Sequence, residues 1–366
     1  MAALSDVADV SVIFSPAWAQ HAPEAQPESP ERLDWALAGA ALGLTGRDDP
    51  AGLTTRAPDR GLTDDQLFAV HSRAYVRFLD EFAAHGGGLL AFDTQISPVS
   101  PAIARSAAAG ACLAVDLAFA EGRPSLALLR PPGHHAAADT GSGFCLFNNA
   151  ALAARHALAN HPTPSRGRVA IFDWDVHHGN GTAAIFAADP QVLYVSIHES
   201  PHYPFTGWPD EVGAGPGRGL TINLPLPGGL STEQCLLALE RVVLPCLRHF
   251  APGLVIVSAG QDGHWSDPMG TWQLSAAGYH RLALAVGRLA EETGTGLVAL
   301  MEGGYSPTGL RLGTAGIAAG LCGREPAAAV LADGRDLPSP APRQQEAYAR
   351  RLAEIVDIQS VLWPLR

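Results

Sequence analysis

The sequence has 366 residues, and its 24 basic and 36 acidic side chains give a formal net charge of −12. Every basic residue is an arginine. Because lysine is absent, a P-loop phosphate site, a pyridoxal Schiff base and any lysine nucleophile or base are excluded. The acidic balance argues against nucleic acid as a main partner and favours cationic ligands.

Cysteine usage and hydropathy bear on the cellular compartment. The five cysteines are widely spaced and include no CxxC pair, which predicts reduced thiols rather than disulfides. The amino terminus lacks a basic region followed by an apolar stretch, and no segment has about 18 uncharged apolar residues in a row. We therefore expect a cytoplasmic protein without a membrane partner. The sequence leaves the oligomeric state open, a homo-oligomer included.

Short apolar segments rich in β-branched residues alternate with longer alanine-rich stretches, which is typical of βαβ units. Strands are predicted over residues 11–14, 126–129, 169–172, 192–197, 220–224, 254–258 and 297–301. Helices are predicted over 101–120, 149–159, 232–250, 276–292, 308–321 and 344–358. The pattern predicts an α/β fold with a mostly parallel central sheet and helices on both faces.

No internal repeat or long linker divides the chain, so a single domain is predicted over residues 1–366, with a C-terminal loop and helix at 338–366. The longest irregular stretches are 16–30 and 198–218. Long loops in a compact α/β domain are often active-site walls, because ligands bind beyond the carboxyl ends of parallel strands.

The segment IFDWDVHHGNGT, residues 171–182, follows a predicted strand. Alternate side chains of a strand share one face, so Asp173, Asp175 and His177 are predicted to point the same way. Carboxylate and imidazole ligands suit zinc or a similar divalent ion with an open position for water. The alternative is a solvated loop, but a charged row at the end of a buried strand is costly without a cation.

The segment SAGQDGHWSDPMG, residues 258–270, follows another strand and supplies Asp262 and Asp267. Either carboxylate is a candidate third ligand. The alternative is structural for both, since Asp262 could hold backbone N–H groups and Asp-Pro pairs initiate turns. Spacing alone leaves the choice open.

Two further segments end strands with polar groups. RPPGHHAAADTGSGFCLFNN, residues 130–149, carries His134 and His135, which are candidates for proton transfer or for metal binding. MEGGY, residues 301–305, turns tightly through two glycines and brings Tyr305 toward the same edge, where a phenol could donate to a substrate oxygen. Convergence of four such segments predicts an enzyme.

These segments, together with PESPERL at 27–33 and DTQISP at 93–98, resemble the zinc-dependent histone deacetylase family. The resemblance is to the class II and bacterial amidohydrolase-like branch of the arginase/deacetylase superfamily, and it covers about residues 20–320. It implies the single-domain arginase/deacetylase fold, with long loops at the carboxyl ends of the strands. It also implies that Asp175, His177 and Asp267 bind one zinc ion, which leaves Asp262 a structural role.

The resemblance also assigns catalytic roles. His134 and His135 become the acid/base pair, Tyr305 the oxyanion donor and Asp173 the residue that orients His134. Asn180, opposite His135, is similar to the class II pattern; a neutral amide leaves His135 a weaker base than a carboxylate would. Family members also bind a monovalent cation, usually potassium, at positions matching Asp173, Asp175, His177, Ser196 and Ile197. A second such site would lie near Phe186 and Val192.

The implied activity is zinc-dependent hydrolysis of N-acetyl amides, with an acyl-lysine peptide or an N-acetylated small molecule as substrate. The resemblance places the substrate tunnel between Phe144 and Tyr203, with Phe205 as the alternative wall, Gly143 beside it, and Met269 and Asp93 at the mouth. Met269 stands where polyamine deacetylases of the family carry an acidic gatekeeper, which favours acyl-lysine. Gln261 and Gln26 depart from the family pattern outside the ligand positions.

Three alternatives remain at this stage. An acetylpolyamine amidohydrolase would be favoured by the charge of −12. A catalytically silent acyl-binding protein should lack a tandem histidine or the tyrosine, and all three are present. An arginase-like binuclear hydrolase would need further carboxylates around a second metal.

Overall fold

The computed structural model describes residues 10–21 and 26–365. The strands of this part of the chain are β1 (Ser11–Ile13), β2 (Thr55–Arg56), β3 (Gly88–Ala91), β4 (Thr94–Ile96), β5 (Ser125–Ala127), β6 (Val169–Asp173), β7 (Val192–Glu199), β8 (Thr221–Leu226), β9 (Leu254–Ala259) and β10 (Gly296–Met301). The α-helices are α1 (Arg32–Thr45), α2 (Asp64–Leu67), α3 (Arg73–Ala84), α4 (Ser100–Glu121), α5 (Asn149–Asn160), α6 (Asn180–Phe186), α7 (Thr232–Ala238), α8 (Leu244–Phe250), α9 (Ala276–Thr293), α10 (Pro307–Leu321), α11 (Ala328–Ala332) and α12 (Pro342–Gln359).

One large sheet organises these elements. Its strand order is β2-β1-β5-β10-β9-β6-β7-β8, and every pairing is parallel. The strands β3 and β4 form a separate antiparallel hairpin. Because the large sheet is wholly parallel, the carboxyl ends of its strands all lie at one edge. The loops that follow the strands gather there.

The core lies on both faces of this sheet. All residues of β6, β7, β8 and β9 are buried, which explains why these strands are mostly apolar in sequence. The predicted α/β architecture is therefore confirmed. The helix predicted over 232–250 is present as one helical stretch in which a π-helical turn, Leu239–Val243, joins α7 to α8.

The helices α1, α9 and α10 pack closely through glycines. A Cβ atom at Gly43 of α1 would lie 2.4 Å from the Ala315 carbonyl oxygen, and one at Gly320 of α10 would lie 2.5 Å from the His280 carbonyl oxygen. No side chain fits at either position without separating the helices.

Among the described helices, α4 alone is long and apolar enough to span a membrane by length and composition, and 61% of its most apolar window is buried inside the fold. It contains Arg105 and Asp116 and packs against α5, β1, β5 and β10. All five cysteines carry reduced thiols; four are buried, and Cys322 is half-buried.

Candidate active site at the carboxyl edge of the sheet

Four loops that follow neighbouring strands meet at the carboxyl edge of the large sheet. The strands are β5, β10, β9 and β6, which are adjacent in that order. Their loops are the four segments in which the sequence predicts chemistry. The strand order thus brings together residues that are far apart in the sequence, since Arg130 and Tyr305 are separated by 175 positions.

The side chains of Asp173, Asp175 and His177 meet, but for a reason other than the predicted one. Strand β6 ends at Asp173, so strand alternation does not align the three residues. Asp173 Oδ1 instead accepts a hydrogen bond from the Asp175 N–H at 3.2 Å, and Asp175 Oδ1 accepts one from the His177 N–H at 2.9 Å. Successive aspartate-to-backbone hydrogen bonds, typical of turns, hold the cluster.

Asp175, His177 and Asp262 form a buried set of metal-ligand atoms. His177 Nδ1 lies 3.0 Å from Asp175 Oδ1 and 3.1 Å from Asp262 Oδ2, and the ligand atoms of the three residues all lie within 4.8 Å of one another. Burial, reinforced by the charge of Asp175, raises the pKa of Asp262 to about 7. A divalent cation would stabilise these crowded carboxylates, so the donor set fits zinc.

Gly303, in the turn after β10, lets the chain approach this set. Its N–H donates to Asp175 Oδ2 at 2.8 Å. A Cβ atom at this position would lie 2.0 Å from Asp262 Oδ2 and 2.6 Å from Asp175 Oδ2. Only glycine permits so close a contact with both carboxylates.

Asp267 lies beside the set and outside it. Its Oδ2 accepts hydrogen bonds from the N–H groups of Tyr305 at 2.6 Å and Ser306 at 2.9 Å, and its Oδ1 accepts one from Met269 at 3.0 Å. Asp262 Oδ1, in turn, accepts a hydrogen bond from the Val176 N–H at 2.9 Å. Both carboxylates therefore also bind backbone groups, and the assignment of Asp267 as third ligand stays a prediction.

His134 lies between two carboxylates. Its Nδ1 lies 3.1 Å from Asp173 Oδ2, the partner that the resemblance implies, and its Nε2 lies 3.8 Å from Asp175 Oδ1. Burial lowers the pKa of His134, but the charges of Asp175 and Asp173 outweigh burial and hold it well above the ordinary value. The surroundings favour the imidazolium form.

His135 is in the opposite electrostatic situation, although its ring centroid lies only 4.0 Å from that of His134. Its Nδ1 lies 2.8 Å from Asn180 Oδ1. Burial, together with the positive charges of His134 and His177, holds the pKa of His135 well below the ordinary value. The surroundings favour a neutral imidazole, which is the form that can accept a proton.

Tyr305 and Phe144 face one another beside the histidines. Their ring centroids lie 5.7 Å apart at an interplanar angle of 65°, and the Arg32 guanidinium lies 4.8 Å from the centroid of the Tyr305 ring. Burial raises the pKa of Tyr305 well above its ordinary value. The phenol therefore stays protonated and able to donate a hydrogen bond.

Tyr203 lines the site, whereas Phe205 projects into solvent. The Tyr203 ring centroid lies 5.1 Å from that of His135 and 6.2 Å from that of His177, while Phe205 is 70% exposed. This geometry favours Tyr203 as the wall opposite Phe144. Met269 is half-buried at the end of the loop after β9.

Asp93 contacts the backbone of the loop that follows β5. Its Oδ1 accepts hydrogen bonds from the Gly143 N–H at 3.0 Å and the Thr94 hydroxyl at 2.8 Å, and its carbonyl oxygen accepts one from Gln26 Nε2 at 3.0 Å. Gly143 itself has a φ of +54°, and a Cβ atom there would lie 2.2 Å from His135 Cδ2. Gly143 therefore leaves room for the histidine ring rather than for a side chain of its own.

The residues predicted to hold potassium lie together next to this site. Asp173 pairs with Ser196 in the register of β6 and β7, and both residues are fully buried, as is Ile197. Asp173 Oδ2 also accepts a hydrogen bond from the Tyr194 hydroxyl at 3.1 Å, and Ser196 Oγ lies 2.9 Å from His198 Nδ1. The potassium assignment stays a prediction, as does the second site near Phe186 and Val192.

Glu302 is a site residue that the sequence reasoning did not assign. It is fully buried, and its Oε2 accepts hydrogen bonds from the N–H groups of Gly133 at 2.7 Å and His134 at 3.2 Å. Burial raises its pKa to about 7. The sequence signal that could have identified Glu302 is its position directly before the Gly-Gly-Tyr turn.

A buried ion cluster supports the same loops. Glu28 Oε1 accepts hydrogen bonds from Arg32 at 2.9 Å and from Arg130 at 2.7 Å, and Arg32 Nε donates to the Gly304 carbonyl oxygen at 2.7 Å. The charged residues of PESPERL and RPPG thus fix the turn that carries Tyr305. Apart from the occurrence of the two motifs, nothing in the sequence indicates that these charged residues pair.

Comparisons with known proteins identify the family of this chain. A family model for the histone deacetylase domain matches residues 26–321. A probable deacetylase of Archaeoglobus fulgidus is 37% identical over 316 residues, covering 85% of this chain and 86% of that protein. A histone deacetylase-like amidohydrolase of Pseudomonas aeruginosa is 38% identical over 265 residues, covering 70% of this chain and 69% of that protein.

The solved structures give the same result. The crystal structure of the HDA15 HD domain superposes with a TM-score of 0.84 at 31% sequence identity, covering 98% of this chain and 97% of that one. Since the family match spans more than half of the sequence and the fold agrees over nearly all of it, this chain belongs to the histone deacetylase family.

Proposed function

We propose that this protein is a zinc-dependent deacylase that hydrolyses the terminal amide of an acyl-lysine side chain. The observation that carries the proposal is the tandem pair His134 and His135, whose rings lie side by side in opposite electrostatic surroundings next to a buried metal-ligand set. Neither a silent acyl-binding protein nor a binuclear hydrolase needs that combination.

Asp175, His177 and Asp267 would hold the zinc ion, with Asp262 in contact with His177. When bound, zinc polarises a substrate carbonyl and lowers the pKa of water. A monovalent cation, potassium by family precedent, would occupy the neighbouring position bounded by Asp173, Ser196 and Ile197.

Side chains of the protein carry out the proton transfers. Neutral His135, oriented by Asn180, accepts a proton from the attacking water and returns it to the leaving amine. His134, held by Asp173, supplies positive charge beside the developing oxyanion. Tyr305 donates a hydrogen bond to that oxyanion.

Tunnel chemistry supports acyl-lysine over acetylated polyamines. Phe144 and Tyr203 supply aromatic surface for a methylene chain, and Met269 is neutral where an acidic gate would pair with a distant ammonium. At physiological salt, screening acts over about 8 Å, so the net charge of −12 adds little selectivity inside the tunnel. A reducing cytoplasm is the matching compartment, because all five cysteines carry reduced thiols.

The test compares purified zinc-loaded enzyme on an acetyl-lysine peptide, a trifluoroacetyl-lysine reporter, acetylputrescine and acetylcadaverine. We expect the lysine substrates to have the higher kcat/KM. A kcat/KM for acetylputrescine or acetylcadaverine well above that for the peptide would make this a polyamine amidohydrolase. Turnover of none of the four substrates would overturn the proposal.

A further inference from the structure

Three side chains at the far end of α4 and α5 form a second cluster of metal-ligand type. Asp116 lies on α4, His156 lies on α5, and His161 directly follows the last residue of α5. Helix α5 begins beside the candidate active site, and its 12 residues span about 18 Å at 1.5 Å per residue. The cluster is therefore distinct from the site described above.

The two imidazoles converge on one carboxylate oxygen. Asp116 Oδ1 lies 2.7 Å from His156 Nε2 and 2.6 Å from His161 Nε2, and the ligand atoms of the three residues all lie within 4.8 Å of one another. Their side chains are 45%, 17% and 25% exposed, in that order. An ion could therefore reach the cluster from solvent and keep water in its remaining positions.

The geometry is close to what a tetrahedral ion requires. Zinc to ligand distances of about 2.0 Å place neighbouring ligand atoms roughly 3.3 Å apart. The present separations of 2.7 Å and 2.6 Å would have to open by about 0.6 Å. Partly exposed side chains on a helix and at its end can make that adjustment.

The surroundings of the cluster favour a bound cation. Asn160 Nδ2 lies 3.0 Å from His156 Nδ1, and with the amide flipped its oxygen would accept a hydrogen bond from Nδ1–H when Nε2 binds a metal. The Phe119 ring, 5.0 Å from the His161 ring, fixes the second imidazole. The cluster lies at the carbonyl end of α5, where the helix dipole favours positive charge.

We propose that Asp116, His156 and His161 form a second, non-catalytic site for a zinc-type divalent ion, which ties α4 to the end of α5. Two imidazoles and one carboxylate are ligands that zinc favours, and water completes the shell. Partial exposure and three protein ligands imply weaker binding than at a buried site. A bound ion would also stabilise the folded chain.

The test is a calorimetric titration of Zn²⁺ into zinc-loaded enzyme, in which the catalytic position is already filled. We expect one further equivalent for the wild type and a rise in Tm with added Zn²⁺. His156→Ala and His161→Ala should each weaken this second binding about tenfold or more. His85→Ala is the matched control, because His85 is an exposed histidine that contacts the carbonyl oxygen of Glu81 on its own helix; it should bind Zn²⁺ as the wild type does.

Asp116→Asn separates a metal site from a hydrogen-bonded cluster. The amide oxygen still accepts from both imidazoles, so a hydrogen-bonded cluster would survive, whereas the second Zn²⁺ equivalent should be lost with the negative charge. The proposal is overturned if wild-type enzyme takes up no second equivalent, or if His156→Ala, His161→Ala and Asp116→Asn all retain it. These readouts are independent of deacylation, so they stand or fall separately from the proposed function.

Discussion

At the scale of single residues, the proposed mechanism divides three tasks among three side chains. His134 would carry positive charge, His135 would accept a proton and Tyr305 would donate a hydrogen bond. The difference between the two adjacent histidines comes from their partners, a carboxylate for His134 and a neutral amide for His135. Local charge, rather than residue type, sets their roles.

Tyr305→Phe tests the oxyanion role. The ring still packs against Phe144, but the donor is lost, and loss of one oxyanion donor typically costs about 3 kcal/mol, or roughly a hundredfold in kcat. Steady-state kinetics should show that fall, while the affinity for a hydroxamate inhibitor changes much less. An unchanged kcat would show that Tyr305 is structural.

Asn180→Asp tests the proton acceptor. A carboxylate 2.8 Å from His135 Nδ1 would stabilise the imidazolium and raise the pKa of His135. Because the neutral form is the base, activity should require a higher pH, and the acid limb of the kcat/KM profile should move upward. If the acid limb of the kcat/KM profile does not move in this variant, His135 is not the base.

Asp267→Asn and Asp262→Asn decide the third ligand. We expect Asp267→Asn to lose stoichiometric zinc at the catalytic site, since a three-ligand site cannot spare a carboxylate. Asp262→Asn should keep zinc, because the amide oxygen can still accept from the Val176 N–H. Zinc content after gel filtration against a weak chelator gives the result, and the reverse pattern would make Asp262 the ligand.

At the scale of elements, the parallel sheet explains why distant segments cooperate. The four active segments follow β5, β10, β9 and β6, and the buried apolar runs of these strands made their positions predictable. The supporting contacts were not predictable in the same way. Arg32 bonds to Gly304 across 272 residues, and nothing in the local pattern of either segment specifies such a pairing.

Close helix packing gives a prediction at this scale. Gly320→Ala should destabilise the protein by about 1 to 3 kcal/mol, because the new Cβ would lie 2.5 Å from a backbone carbonyl oxygen of α9. Gly287→Ala in α9 is the matched control, since its Cβ would lie no closer than 3.5 Å to Gly320 and Leu321. That change should stabilise the helix by up to about 1 kcal/mol. Denaturant unfolding of both variants measures the difference, and equal stabilities would contradict the packing account.

At the scale of the whole molecule, the sequence predicted the fold class well, and its helices and strands appear within about two residues of the expected bounds. The helices α1 and α3 and the β3-β4 hairpin were not foreseen, nor were the short elements β2, α2, α6 and α11. Helix α1 is mostly apolar, whereas α3 has 12 residues and buries Tyr75, Val76, Leu79 and Ala83 at helical spacing, so its signal was present in the sequence. Among site residues, Glu302 escaped notice because its role depends on contacts with Gly133 and His134, which only the folded chain provides.

In the proposed function, one catalytic metal ion and these residues together hydrolyse an acyl-lysine amide. The most direct test of this function is kcat/KM on an acetyl-lysine peptide, measured as zinc is restored to chelator-treated protein. The His161→Ala variant should be used, so that the cluster of Asp116, His156 and His161 does not compete for the added zinc. We expect activity to be absent without metal, to rise with added zinc and to be complete at one equivalent, with none for Asp175→Ala at any zinc level. Full activity in metal-free protein, or activity that needs a second equivalent, would contradict the account.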